Sequence, residues 1–165
     1  MLSFEISQQD LDIIDWASKD VFPHQESPDW SPYLLPEPLL TVWAVEQAQG
    51  IIDNGGFVYF YGNDWPQNPP YSVFWDAFRG IGASEAAQCI ETTAKMFPFE
   101  RPELDYQMRR DFLNPPSEGA ACAPDEFDEL DGRFIRLGGS TFQLLAQYIR
   151  DHAGYFPTVT KNRTH

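Results

Sequence analysis

Between Leu39 and Asp53 the chain carries apolar residues on nearly every face of a helix: Leu39, Leu40, Trp43, Ala44, Val45, Ala48, Ile51 and Ile52. Such a helix is stable only when neighbours cover it all round, so the remaining elements must be arranged about this one. Pro38 suits its first turn. Its few polar groups, Glu46, Gln49 and Asp53, recur three and four residues apart and make one narrow stripe. The stretch that follows, DNGGFVYFYGND at 53–64, could be a phosphate loop, a strand or a corner. A phosphate loop needs Lys and Ser or Thr behind its glycines, opening a helix after a strand, and neither follows. FVYFY has strand propensity but no partner run nearby. The expectation is a helix terminus at Asn54 and Gly55, with Gly56 giving room for a turn and Phe57 beginning a short helical segment packed on its aromatics.

Helical periodicity recurs along the rest of the chain. Ser7 can cap a helix with Leu11, Ile14, Ala17 and Val21 inward and Asp12, Asp15 and Lys19 on the opposite face. Residues 22–37 contain four prolines and break it. Pro70 opens a helix with Phe74, Trp75, Phe78 and Ile81 inward. Ser84 is placed to cap the next, which buries Ala86, Cys89, Ile90, Thr93 and Phe97 and sets Glu91 and Lys95 as an outer pair. Residues 99–123 are ambiguous, with 104–113 compatible with a helix. Pro124 begins a helix carrying Phe127, Leu130, Phe134 and Leu137, which Gly138 and Gly139 should end. Ser140 should cap a last helix with Phe142, Leu145, Ile149, His152 and Phe156 inward, followed by a frayed polar tail at 157–165. The prediction is an all-α, single compact domain of about six to seven helices with long proline-rich loops. An N-terminal helix and loop fill 1–37, and a helical core fills 38–156.

No residue set declares a reaction. No two histidines share metal-ligand spacing, and neither a G-x-S-x-G nor an H-E-x-x-H is present. The expectation is no catalytic residue, no metal and no cofactor. His152 reads as a core histidine with one nitrogen satisfied. A Cys–His nucleophile would need Cys89 or Cys122 beside it, which nothing in the sequence supports. Two cysteines without a C-x-x-C, and an N-terminus lacking a basic region and a long apolar run, point to a reduced cytoplasmic protein with no membrane association. An alternative from another class is a small hydrolase or ligand-binding enzyme whose Trp-lined cleft holds Glu46 and Asp53 as an acid–base pair. Against it, the same stripe can simply meet water or tie down a loop. Trp30 and Trp65, in Asp-Trp loops, serve better as apolar anchors for those loops than as a groove.

Charge constrains partners more than chemistry. With 25 acidic and 11 basic side chains, the net charge is −14. Direct nucleic-acid binding is disfavoured, because it requires a cationic footprint. Residues 1–78 hold twelve acids and one base, and PDEFDELD at 124–131 holds five acids and no base. Acids in a first turn stabilise a helix through its dipole, which is the plain reading of that segment. Glu129 stands one turn before Arg133 and two before Arg136, and Asp131 projects near the apolar face, where it should find a hydrogen-bond partner. Asp125, Glu126 and Asp128 are freer, and with Asp12 and Asp15 they form the candidate partner-binding set. Carboxylates three or four apart on a helix lie about 5–6 Å from one another, comparable to phosphate spacing along a duplex. The natural complement is a basic protein, or the nucleic-acid-binding face of one, while plain solubility is the reading that composition alone favours. The sequence leaves a homodimer open.

The run VEQAQGIIDNGGFVYFYGN resembles the E-x-x-x-x-x-x-NGGF-x-x-x-F-x-N block of a bacterial family whose best-known member is an acidic DNA mimic. FRGIGASEAAQCIETTAKMF, ELDGRFIRL and LLAQYIRDHAGYF are similar to the family's later segments, so the likeness covers about residues 40–156. Asn54, Gly55, Gly56 and Phe57 are its most specific match, and they look like a fold signature rather than an active site. The resemblance implies a helical fold, no catalytic residues, and a non-enzymatic protein able to occupy the DNA site of a regulator. An acidic immunity or antitoxin protein is a further alternative, because it too would bind one basic partner.

Overall fold

The computed structural model describes residues 5–117 and 123–163, and of His24 only the backbone. Cys122 and His165 lie outside the described residues. The described chain is all helical, with seven α-helices and no strand: α1 (Gln8–Val21), α2 (Leu39–Gly62), α3 (Ser72–Gly80), α4 (Ser84–Ala94), α5 (Tyr106–Leu113), α6 (Glu126–Asp151) and α7 (Pro157–Arg163). No helix is long and apolar enough to cross a membrane among these residues.

As its apolar surface requires, α2 is the hub, packed against α1, α3, α5 and α6. Val42, Trp43, Ala44, Val45, Ala48 and Ile52 are buried along it. α6 runs antiparallel to α2, because Gln49 meets Gly138 while Phe57, further along, meets Asp131. α3 and α4 form a pair, and α4 also packs on α6. Trp43 sits at the centre of an aromatic cluster, with ring centroids 5.3 Å from Trp30, 5.8 Å from Trp65 and 5.7 Å from Phe74. Trp30 and Trp65 therefore anchor the proline-rich connections to the core. The first connection gains order from two 3-10 turns, Phe22–Glu26 and Pro32–Leu34.

Ser7 caps α1 as expected, accepting from the Asp10 N–H, but the inward face is shifted. Leu11 is 41% exposed and Ile13 is buried in its place. The inward residues of α4 are buried as read, and Glu91 and Lys95 pair outside. Ser84 does not cap α4: the capping position is Ala83, with no side-chain bond.

Three boundaries differ from the sequence reading. Gly138 and Gly139 do not end a helix and Ser140 does not begin one, since α6 runs unbroken for 26 residues. Gly138 instead lets the buried Gln49 side chain approach: a Cβ there would stand 3.1 Å from its Nε2. The Ser140 hydroxyl donates to the Leu137 carbonyl one turn back. The tail is not frayed through 163. Val159 is buried, and Asp20 accepts from both the backbone N–H and the hydroxyl of Thr158, capping α7 from α1.

The third difference concerns the glycine corner. Asn54 and Gly55 remain helical, and Asn54 donates its side-chain amide to the Gly50 carbonyl. The break comes at Gly56, with φ 70° and ψ −171°, after which the helix resumes to Gly62. Resumption is favourable because Phe57, Phe60 and Tyr61 all reach the core.

Candidate partner-binding surface

The restart at Phe57 requires an acceptor for an N–H that the break has orphaned. Asp131 supplies it from α6, its Oδ1 2.7 Å from the Phe57 nitrogen. A Cβ on residue 56 would fall 2.3 Å from Asp131 Oδ2, so the carboxylate occupies the space that only glycine leaves. Burial raises the Asp131 pKa, the Phe57 N–H opposes that, and Asp128 adds to it. Phe57 then packs edge-on against Phe134 at 5.5 Å. Asn54, Gly55, Gly56 and Phe57 thus form a bend in the hub helix held by α6. Asp131 has the partner its position called for.

The remaining acids of PDEFDELD are set differently. Asp125, Glu126, Asp128 and Glu129 are exposed at the start of α6. None of their side chains accepts a hydrogen bond or ion pair among the described residues. Arg133, one turn after Glu129, reaches Glu85 on α4 at 3.4 Å instead. The basic side chains are largely consumed internally. Lys19, Arg79, Lys95, Arg101, Arg109, Arg133 and Arg150 all pair with carboxylates of the same chain.

Asp12 and Asp15 lie on α1. Asp12 accepts from Gln8 at 2.8 Å, and Asp15 is paired with Lys19 at 2.7 Å. α1 is tied to the far end of α6 by Asp10 and Arg150. Its other end meets Glu46 through Ser18, one turn from where Gln49 faces Gly138. Asp12 and Asp15 are therefore level with about residues 145–148 of α6. At 1.5 Å of rise per residue they stand about 30 Å along the axis from Asp125, Glu126 and Asp128. The five residues form two groups, one on α1 and one at the start of α6, not one cluster.

A family profile described as DMP19-like protein matches residues 34–152, most of the chain. The chain belongs to the DMP19-like family. No curated protein and no solved structure matches it. The DMP19-like match spans α2 to α6 and includes both Gly56 and Asp131, so the bend and its cap lie inside the family's region.

The enzymatic alternative placed Glu46 and Asp53 in one cleft, and the DMP19-like fold separates them. Glu46 is covered by α1, where Ser18 donates to it at 2.6 Å, while its second oxygen is buried with no partner among the described residues. Burial is the chief cause that raises its pKa to about 7. Asp53 stands at the surface, accepts from Gln49 at 2.8 Å, and is raised by partial burial. Neither lines any of five pockets of about 210–390 Å³ among the described residues. His152 donates through Nδ1 to the Tyr148 carbonyl at 2.8 Å, and its ring lies on that of Tyr148, so one nitrogen is satisfied as expected.

Sequence reasoning missed Arg109. It is 1% exposed and joins α5 to the end of α2, donating to the Tyr61 carbonyl at 2.9 Å, the Pro102 carbonyl at 2.8 Å and Asp64 at 2.5 Å. A cation there also meets the negative end of the α2 dipole. Beside it, a groove of about 350 Å³ opens between α2 and α5, lined by Tyr59, Tyr106 and Arg110. Tyr59, at 65% exposed, is the one ring of FVYFY that faces solvent.

Proposed function

We propose that this DMP19-like protein is a non-enzymatic acidic decoy that occupies the nucleic-acid site of a basic DNA-binding protein. The observation that carries the reading is the set of four exposed carboxylates opening α6, none of them paired among the described residues, in a chain whose cations are mostly spent internally. Family membership supports it. The separation of the two acidic groups supports it too, since about 30 Å is close to the roughly 34 Å of one duplex turn. Rigid helices hold these charges in place, so little conformational freedom is lost on binding. Such a partner would be met in the cytoplasm, where its DNA is.

The test is retention of basic proteins from host extract on the immobilised protein at about 50 mM and about 500 mM NaCl, followed by elution with duplex DNA. The expected result is a DNA-binding protein held at low salt, released at high salt and displaced by duplex. The variant Asp125→Asn, Glu126→Gln, Asp128→Asn should retain far less of it. No basic partner at low salt, or binding indifferent to salt and to duplex, would show the reading to be wrong.

A further inference from the structure

Beneath α1, two buried oxygens of neighbouring side chains stand without a partner among the described residues: Glu46 Oε2 and Gln49 Oε1. They belong to the polar stripe of α2, three residues apart, where helical side chains lie about 5–6 Å from one another. The other branch of each group is already placed. Glu46 Oε1 accepts from the Ser18 hydroxyl of α1 at 2.6 Å. Gln49 Nε2 donates to Asp53 at 2.8 Å, one turn towards the C-terminal end of α2. A planar amide that sends its nitrogen forward sends its oxygen back, towards the turn that holds Glu46. The α6 side excludes the other direction: a Cβ on Gly138 would stand 3.1 Å from Nε2 and 3.9 Å from the amide carbon, with Oε1 beyond 4 Å.

Two facing acceptors cannot satisfy each other, and each buried orphan costs free energy. A single proton on Glu46 Oε2 satisfies both, because a carboxylic acid donates where a carboxylate only accepts. The surroundings favour that proton. Asp15 adds negative charge from α1, where it is exposed and paired with Lys19. Glu26, in the 3-10 turn after α1, shares an open pocket with Asp15, Ser18 and Lys19. Along α2 the next carboxylate is Asp53. α6 runs past between Gly138, which meets Gln49, and Tyr148, which meets Thr41, and its residues 137–147 carry no titratable side chain. No cation is among the groups acting on Glu46, and burial is the chief cause that raises its pKa to about 7.

We propose that Glu46 is a proton-operated latch for α1. With Oε2 protonated, a continuous chain of hydrogen bonds runs from Ser18 through Glu46 and Gln49 to Asp53 and seats α1 on α2. Loss of the proton breaks the chain at its middle and leaves a carboxylate that needs water, so states in which α1 has lifted gain weight. Asp10 with Arg150 and Asp20 with Thr158 hold the two ends of α1, so the movement is a local opening. The folded pKa lies above the ordinary 4.5, so the latch is strongest below pH 4.5 and is lost as pH rises through about 7. α1 carries Asp12 and Asp15, so the latch also sets how firmly that acidic group is held. This consequence alone rests on the decoy reading.

Carboxyl-carbon NMR of the full chain and native-state hydrogen exchange test the latch with no partner present. The Glu46 carboxyl carbon should titrate with a midpoint of about 7, and the Gln49 side-chain amide should shift with the same midpoint. Between about pH 6 and about pH 8, α1 amides should lose about tenfold in protection, corrected for intrinsic exchange, which is the ratio that linkage gives for this group on exposure. Protection in α4 should stay level. Glu46→Gln keeps the chain, its carbonyl accepting from Ser18 and its amide donating to Gln49, so its α1 protection should not change with pH. The two NMR readouts use the parent chain and decide the matter whatever the variant does. A Glu46 midpoint in the ordinary carboxylate range, Gln49 shifts that ignore it, or the same α1 response to pH in Glu46→Gln as in the parent would each overturn the proposal.

Discussion

Asp131 does for the second half of α2 what a capping serine does for an isolated helix, but it acts from another helix. Replacing it with alanine leaves the part-buried Phe57 N–H without an acceptor and should cost about 1–3 kcal/mol in urea unfolding. Gly56→Ala should cost more, because alanine resists a φ of 70° and its Cβ collides with the same carboxylate. The two effects should not add, since each relieves or removes the other's contact. Glu46 makes a second prediction at this scale. Its pKa in the folded protein, about 7, lies above its ordinary value of 4.5, so the unfolded chain releases its proton first. Stability from this residue is complete below pH 4.5 and is lost as pH rises to about 7. The stability of Glu46→Gln relative to the parent should therefore grow by about 3 kcal/mol over that window, measured by urea unfolding at each pH. A flat difference would mean that Glu46 is solvated beneath α1.

At the scale of elements, glycines in one helix serve opposite ends. At Gly50 an added Cβ meets nothing, so Gly50→Ala should stabilise α2 by about 0.5–1 kcal/mol. At Gly55 it would fall 2.1 Å from the Tyr59 ring, so Gly55→Ala should destabilise despite the better helix former, and thermal melts of the pair decide it. That contrast explains how far the sequence could be read. α1 to α4 and both halves of α6 follow from apolar spacing, because their burial is set by residues three and four apart, whereas that spacing left residues 99–123, which hold α5, ambiguous. Asp131 was legible too, as a charged group beside an apolar face. The Gly138–Gly139 pair was misread because a glycine that admits a neighbouring side chain looks the same as one that ends a helix. α7 was missed because its cap is Asp20, 138 positions away. Arg109 was invisible for the same reason, since Tyr61 and Asp64 lie 48 and 45 positions off. The candidate acids were legible as residues, but their division into two groups depends on how α1 packs along α6.

For the whole molecule, a net charge of −14 with most cations already paired means that the folded state works against its own repulsion. Raising NaCl from about 20 mM to about 500 mM should lift Tm by several degrees by calorimetry, because screening relieves more than the exposed pairs lose. A falling Tm would mean that the ion pairs dominate. The same long-range ties have a consequence for biosynthesis. Asp10 waits for Arg150, and Asp20 waits for Thr158, 140 and 138 positions later. A nascent chain on the ribosome can lay α1 on α2 early, but cannot complete its docking until nearly all of the described residues have left the exit tunnel. Until then the flank of the hub helix that α6 covers stays open to solvent.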